Sequence, residues 1–337
     1  MSQRSARELR VVAIGGGTGL STLLKGLKRY TVASALPPGS PRISDLSAVV
    51  TVSDDGGSSG RLRKEFNMLP PGDVRNCIVA LSEDEALLAR LFQHRFAKGQ
   101  SLEGHSFGNL FLAALTSLTG DFGEAVRLSS EILATRGRIF PATAANIELE
   151  ALMQDGTRVR GETKITASKG RIQELCLLPA DPEPLPQTLE AIARADLITI
   201  GPGSLFTSLI PNLLVRGIAQ ALRTSSATKV FICNLMTQAN ESLDRSAADH
   251  IRALDEHAGG PIFDYALINR TPASSELKAK YATEGASPIE VDLDVIEAMG
   301  VCPVQGDYLR EDGVARHATD RVAADLLQLS HSRETRV

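Results

Sequence analysis

Five short runs rich in β-branched residues, Arg10–Ile14, Ala48–Ser53, Asp196–Ile200, Lys229–Asn234 and Tyr265–Asn269, are separated by longer stretches in which apolar residues recur every three or four positions. Parallel strands cannot be joined by tight turns, so a chain that alternates in this way closes as a parallel sheet covered by helices. The helical periodicity is carried by Ser21–Arg29, Ala86–Phe96, Asn109–Leu118, Gly123–Thr135, Leu205–Leu222, Arg245–His257 and Thr319–Leu329. The expected class is therefore α/β.

Between Pro141 and Pro179 the rhythm shortens. Glu148–Met153, Arg158–Gly161, Thr163–Ala167 and Ile172–Leu178 read as strands, punctuated by the turn dipeptides Asp155-Gly156 and Lys169-Gly170. We expect one α/β domain over residues 1–337, with a small β-rich subdomain inserted at 141–180. The proline-rich stretch Pro179–Pro186 returns the chain to the main sheet, and Ala33–Pro41 reads as a surface loop.

Charge and cysteine usage narrow the function classes. With 36 Lys+Arg against 40 Asp+Glu, the formal charge of −4 supplies no global field for nucleic acid or an anionic membrane, although a local anion site stays open. Cys77, Cys176, Cys233 and Cys302 contain no Cys-x-x-Cys pair and suit neither a zinc cluster nor a disulfide framework, so no metal is expected and a reducing cytoplasm is. Met1–Arg10 is polar, and the apolar run that follows breaks at Gly15, too soon for a secretory core. Leu197–Val215 is uncharged, yet Gly201, Pro202, Gly203, Pro211 and Asn212 interrupt it, which fits strand, loop and helix better than a membrane span.

The first strand runs into Gly15-Gly16-Gly17-Thr18-Gly19-Leu20-Ser21, a glycine turn that opens a helix. Unpaired N–H groups and the helix dipole at such a turn favour phosphate. A dinucleotide fingerprint would need glycine where Leu20 stands, and the Lys-Ser/Thr of a Walker loop is missing, which disfavours NAD and a P-loop NTPase. After the second strand comes Ser53-Asp54-Asp55-Gly56-Gly57-Ser58-Ser59-Gly60-Arg61-Leu62-Arg63, read as a loop at the carboxyl edge of the sheet. Asp54 or Asp55 would hold Mg²⁺ or accept a sugar hydroxyl, and Arg61 or Arg63 would clamp phosphate; a solvated turn or a helix cap is the plainer reading of each alone.

Two further turns, Pro70–Asn76 and Gly104–Asn109, each precede a helix, with Asp73 as a cap and His105 as either a general base or a packed histidine. Gly201-Pro202-Gly203-Ser204 leaves a buried strand where backbone can approach a ligand closely. Ser204, Thr207 and Ser208 then offer hydroxyls to a diphosphate, or Ser204 or Thr207 caps the helix. Asn234-Leu235-Met236-Thr237-Gln238 adds amides and a hydroxyl at the same edge.

In order along the chain, Gly15–Ser21, Asp54–Arg63, Pro70–Asp73, His105–Asn109, Gly201–Ser204 and Asn234–Gln238 resemble the blocks of the gluconeogenesis factor family, the YvcK-like proteins of the CofD-like superfamily. The resemblance runs from about Val11 to Leu329 and departs at Asn240 and Ser242, where the family pattern has glycine and threonine. It implies a modified Rossmann-like fold and a cytoplasmic regulator that binds a UDP-sugar such as UDP-N-acetylglucosamine and serves cell shape and wall synthesis during gluconeogenic growth. Thr18 matches the nucleotide-sugar site, and Tyr281 and Arg316 resemble its C-terminal contacts, against their plainer readings as a core tyrosine and a surface arginine.

The binding residues so expected are Gly15, Gly16, Gly17, Thr18, Gly19, Asp54, Asp55, Gly201, Gly203, Ser204, Asn234, Tyr281 and Arg316. No cofactor is required on this reading. The alternative is a CofD-like transferase of a phosphorylated group such as 2-phospholactate, which would use Mg²⁺ held by Asp54, Asp55 or Asp73. Protein partners in wall synthesis or metabolism and homo-oligomerisation are left open.

Overall fold

The computed structural model describes residues 8–332 apart from 33, 35, 38, 39, 84, 169 and 240. Parts of the Met1–Arg10 segment and of the Ala33–Pro41 loop, Lys169 of one expected turn, and Asn240 therefore lie outside the described residues. Seven parallel strands form the main sheet: β1 (Glu8–Gly15), β2 (Arg42–Val50), β3 (Arg138–Pro141), β7 (Leu197–Ile200), β8 (Thr228–Ile232), β9 (Tyr265–Asn269) and β10 (Cys302–Gly306). Their order across the sheet is β10-β9-β8-β7-β1-β2-β3.

The chain builds outward from β1 through β2 to β3, then crosses to the other side of β1 and builds outward again from β7. This is a Rossmann-like α/β fold. The reversal between β1 and β7 opens a crevice beyond their carboxyl ends, where ligands bind in open α/β sheets. Every residue of β7 and of β8 is buried, which is why neither shows the polar alternation of a half-exposed strand. At the opposite end of the sheet a two-pronged Arg10–Asp196 pair, with both side-chain bonds at 2.9 Å, ties β1 to the residue that enters β7.

A second, three-stranded antiparallel sheet has the order β5-β4-β6, with β4 Glu148–Met153, β5 Arg158–Arg160 and β6 Ile172–Leu178. Gly156, at φ +85°, turns the first hairpin as its Asp-Gly signal predicts. Thr163–Ala167 is not a strand. It belongs to a helix, Glu162–Ala167, because Asp55 caps it from 108 residues away, taking the Thr163 N–H at 2.9 Å and the Thr163 hydroxyl at 2.5 Å.

Three other expectations are corrected. The second strand lies further upstream than Ala48–Ser53, because β1 pairs with it from Glu8↔Arg42 onward. Asp54–Arg63 is not wholly a loop, since a helix runs from Gly57 to Phe66. The single helix Leu205–Leu222 is instead a π-helical turn, Leu205–Leu209, then Ile210–Leu213, then Ile218–Thr224 after a break at Gly217, φ +76°. Among the described residues no single helix is long and apolar enough to cross a membrane. A short hairpin, β11 (Leu309–Glu311) and β12 (Ala315–His317), follows β10 and brings the chain back over the carboxyl edge.

Candidate functional site

The glycine turn and the Gly201–Ser204 turn face each other across the crevice, and missing side chains let them meet. Gly16 is extended, and a Cβ there would lie 2.6 Å from Thr51 Cγ2 and 2.8 Å from Asp73 Oδ2. A Cβ on Gly19 would land on the Pro202 carbonyl oxygen. Gly17 has φ +62° and open space on its Cβ side, with Ser208 Oγ the nearest atom at 3.7 Å. The helix Gly17–Lys28 thus begins against the second turn, with its first N–H groups at the crevice.

The second wall is held from β8. Asn234 grips the Gly203 peptide on both sides, its Oδ1 accepting from Gly203 N at 3.0 Å and its Nδ2 donating to Gly203 O at 2.7 Å. Gln238 Nε2 donates to Ser204 Oγ at 2.8 Å. Neither Ser204 nor Thr207 caps the following turn through its hydroxyl. Glu241 does so, its Oε1 accepting from Phe206 N at 2.8 Å and Thr207 N at 2.7 Å. Burial raises the Glu241 carboxyl, and these backbone donors offset part of that rise.

The third wall comes from the C-terminal elements. Tyr281, on the helix Ser275–Ala282, accepts from Ala315 N at 3.2 Å and so braces the β11–β12 hairpin against that helix. Arg316 is the exposed residue of β12. His317 Nε2 lies 3.0 Å from Cys233 O, and burial pushes this imidazole down to about 4 despite that bond, so it is neutral at physiological pH. The result is a cleft of about 290 Å³. Of the expected residues, Gly16, Gly17, Thr18, Gly19, Gly203, Ser204, Asn234, Tyr281 and Arg316 line it.

The others sit elsewhere. Gly15 and Gly201 lie behind the walls at the ends of β1 and β7. Asp54 lines an adjoining pocket, and Asp55 is engaged with Thr163. Asp73 is not a side-chain cap; it lies in the first turn of the helix Gly72–Leu81, backs onto the glycine turn and accepts from the Gly17 N–H. Burial lifts its carboxyl to about 6. His105 is buried with Nδ1 2.9 Å from Ser58 Oγ, away from the cleft. Glu241 has no local signal in the sequence, because its role depends on a segment distant in the chain.

The model of the family described as 2-phospho-L-lactate transferase CofD matches residues 11–309. Relatives named gluconeogenesis factor are 48% identical over 96% of this chain in Halalkalibacterium halodurans and 46% identical over 95% of it in Bacillus subtilis, covering 97% and 98% of those proteins. The chain belongs to the gluconeogenesis factors of the CofD family. A crystal structure of a Bacillus halodurans protein, 48% identical, superposes with a TM-score of 0.89 over 95% of this chain and all of that one. The six sequence blocks divide between two places: Gly15–Ser21, Gly201–Ser204 and Asn234–Gln238 supply walls of the cleft, and Asp54–Arg63, Pro70–Asp73 and His105–Asn109 contribute to the adjoining pocket, with Asp73 also backing the glycine turn.

Proposed function

We propose that this gluconeogenesis factor is a cytoplasmic regulator that binds a UDP-sugar, represented by UDP-N-acetylglucosamine, and that it serves cell shape and wall synthesis during gluconeogenic growth. The observation that carries the reading is the cleft at the strand-order reversal, where the helix start at Thr18 and Gly19 faces the Ser204 turn as a place for a diphosphate and Tyr281 and Arg316 stand at the rim for polar rings. Its one histidine is neutral and bonded to Cys233 O, so the cleft presents no base paired to a nucleophile. That arrangement supports binding without turnover.

The transferase reading rests on the description of the matching family model. Its Mg²⁺ would fall to Asp54, Asp55 or Asp73. Each of these carboxylates already takes a backbone N–H, from Gly56, Thr163 and Gly17 respectively, and among the described residues no three His, Cys, Asp or Glu side chains gather as a metal cluster. A Mg²⁺ ion shared with a substrate phosphate needs only one or two carboxylates, so metal dependence is the observation that separates the two readings.

Calorimetry with UDP-N-acetylglucosamine, with and without Mg²⁺, followed by product analysis, tests the proposal. A saturable isotherm independent of metal and a nucleotide unchanged over hours are expected. No heat at millimolar ligand would remove the binding assignment, and metal-dependent release of UMP or UDP would favour the transferase. Arg316→Ala should weaken binding roughly ten- to hundredfold, the loss expected for a charge-assisted hydrogen bond. Its exposure predicts a stability change below about 0.5 kcal/mol. An unchanged affinity in the folded variant would leave Arg316 as a surface arginine.

A further inference from the structure

We propose that the pocket adjoining the cleft is a separate phosphate site, taking inorganic phosphate or the phosphoryl group of a small phosphomonoester. It has a volume of about 260 Å³ and is built where three helices start: Gly57–Phe66, Gly72–Leu81 and Phe107–Thr119. Two glycines make the convergence possible. A Cβ on Gly72 would lie 2.6 Å from Ser59 Oγ and 2.8 Å from Asp54 Oδ2, and one on Gly108 would lie 2.7 Å from Arg75 Cδ and 2.6 Å from the Phe92 ring. Three helix N-termini directed at one small volume concentrate positive potential there.

The side chains show what is missing. Arg75 is 92% buried and lines the pocket; its terminal nitrogens donate to Ser106 Oγ at 2.7 Å and Asn76 Oδ1 at 2.8 Å, while Nε has no partner among the described residues. A second arginine, Arg95, lines the same pocket. Burial first, and then the charge of Arg95, hold the Arg75 guanidinium below its ordinary value. An anion between two such cations relieves both effects. Asn109, 99% buried, directs its Nδ2 to Ser58 Oγ at 3.1 Å and leaves Oδ1 without a donor.

The acceptors decide which anion fits. The acidic side chains Asp54 and Asp73 both line the pocket and both accept hydrogen bonds, so an oxyanion that brings its own proton is matched and a bare one is repelled. Phosphate retains a proton near neutral pH; sulfate does not. The site does not depend on what fills the glycine-turn cleft, since none of the residues argued here lines that cleft.

The test is calorimetry of the full chain with inorganic phosphate, sulfate and glycerol 3-phosphate. Saturable phosphate binding is expected, with sulfate weaker by about tenfold or more, and with Arg95→Gln weakening phosphate by roughly tenfold. Arg95 is exposed, so the variant should fold; Arg316→Ala, in the cleft, should leave phosphate binding within about twofold on the same scale. Whichever of phosphate and glycerol 3-phosphate binds more tightly names the source of the phosphoryl group. No saturable phosphate heat, equal binding of sulfate, or a loss that follows Arg316→Ala instead of Arg95→Gln overturns the proposal. A chain that binds phosphate but no UDP-sugar would keep this site and lose the reading of the cleft.

Discussion

Gly17→Val is expected to reduce UDP-N-acetylglucosamine affinity by at least about a hundredfold, or some 2.7 kcal/mol, while the protein stays folded. The substituted side chain has room, because its Cβ would have only Ser208 Oγ nearby, at 3.7 Å. That room is the cleft itself, so the valine methyls would occupy space the ligand needs. The backbone cost comes from φ +62°, a region that costs an L-residue roughly 1–2 kcal/mol and a β-branched one more. Gly19→Ala should behave differently. Its methyl would meet the Pro202 carbonyl oxygen and force the two walls apart, so stability falls together with affinity. Thermal unfolding and calorimetry on both variants separate the cases; a folded Gly17→Val with parental affinity would remove the glycine turn from the site.

Legibility in the sequence followed burial. Val11–Ile14, Leu197–Ile200 and Val230–Ile232 are buried on both faces, so their β-branched runs announce strands without tertiary information. The sheet edges were silent for the complementary reason. β3 has four residues with an exposed arginine and a proline, and β10 carries Pro303 and is largely half-exposed, so neither presents an apolar run. The β11–β12 hairpin has three residues on each strand and no apolar alternation, and without it Arg316 has no evident place.

The candidate site divides along the same line. Glycine turns after buried strands are local, and the reversal of strand order brings both to one crevice, so Gly16–Gly19 and Gly203–Ser204 could be named from sequence. Side chains that act across the chain could not. Thr163 and Ile165 alternate with Lys164 as a strand would, yet Asp55 supplies the cap that stabilises a helix there. Glu241 closes a turn 34 residues upstream, and Asp73 reaches the glycine turn from another element. Such pairings depend on topology, which residue spacing does not encode.

Glu162→Gln is expected to stabilise the protein, increasingly as pH rises from about 4.5 toward 9. The short helix that Asp55 caps places Glu162 near Asp54, Asp73, Asp55 and Glu241, and burial first, then those carboxylates, raise its carboxyl from 4.5 to about 9. A carboxyl raised on folding binds its proton more tightly in the native state than in the unfolded chain. Stability contributed by that proton is therefore full below about pH 4.5 and is lost as pH climbs toward 9. A tenfold difference in proton affinity between the folded and unfolded chain is worth about 1.4 kcal/mol, so the loss is on the order of several kcal/mol at the upper end. Asp73, raised to about 6, adds a smaller loss of the same sign that is complete just above that pH. Glutamine keeps the shape of the protonated acid and cannot ionise. Thermal midpoints of parent and variant should coincide near pH 4 and diverge by roughly 5 °C or more at pH 9, the variant being higher. Parallel pH profiles would show that Glu162 is solvated in the native state and carries its charge at neutral pH.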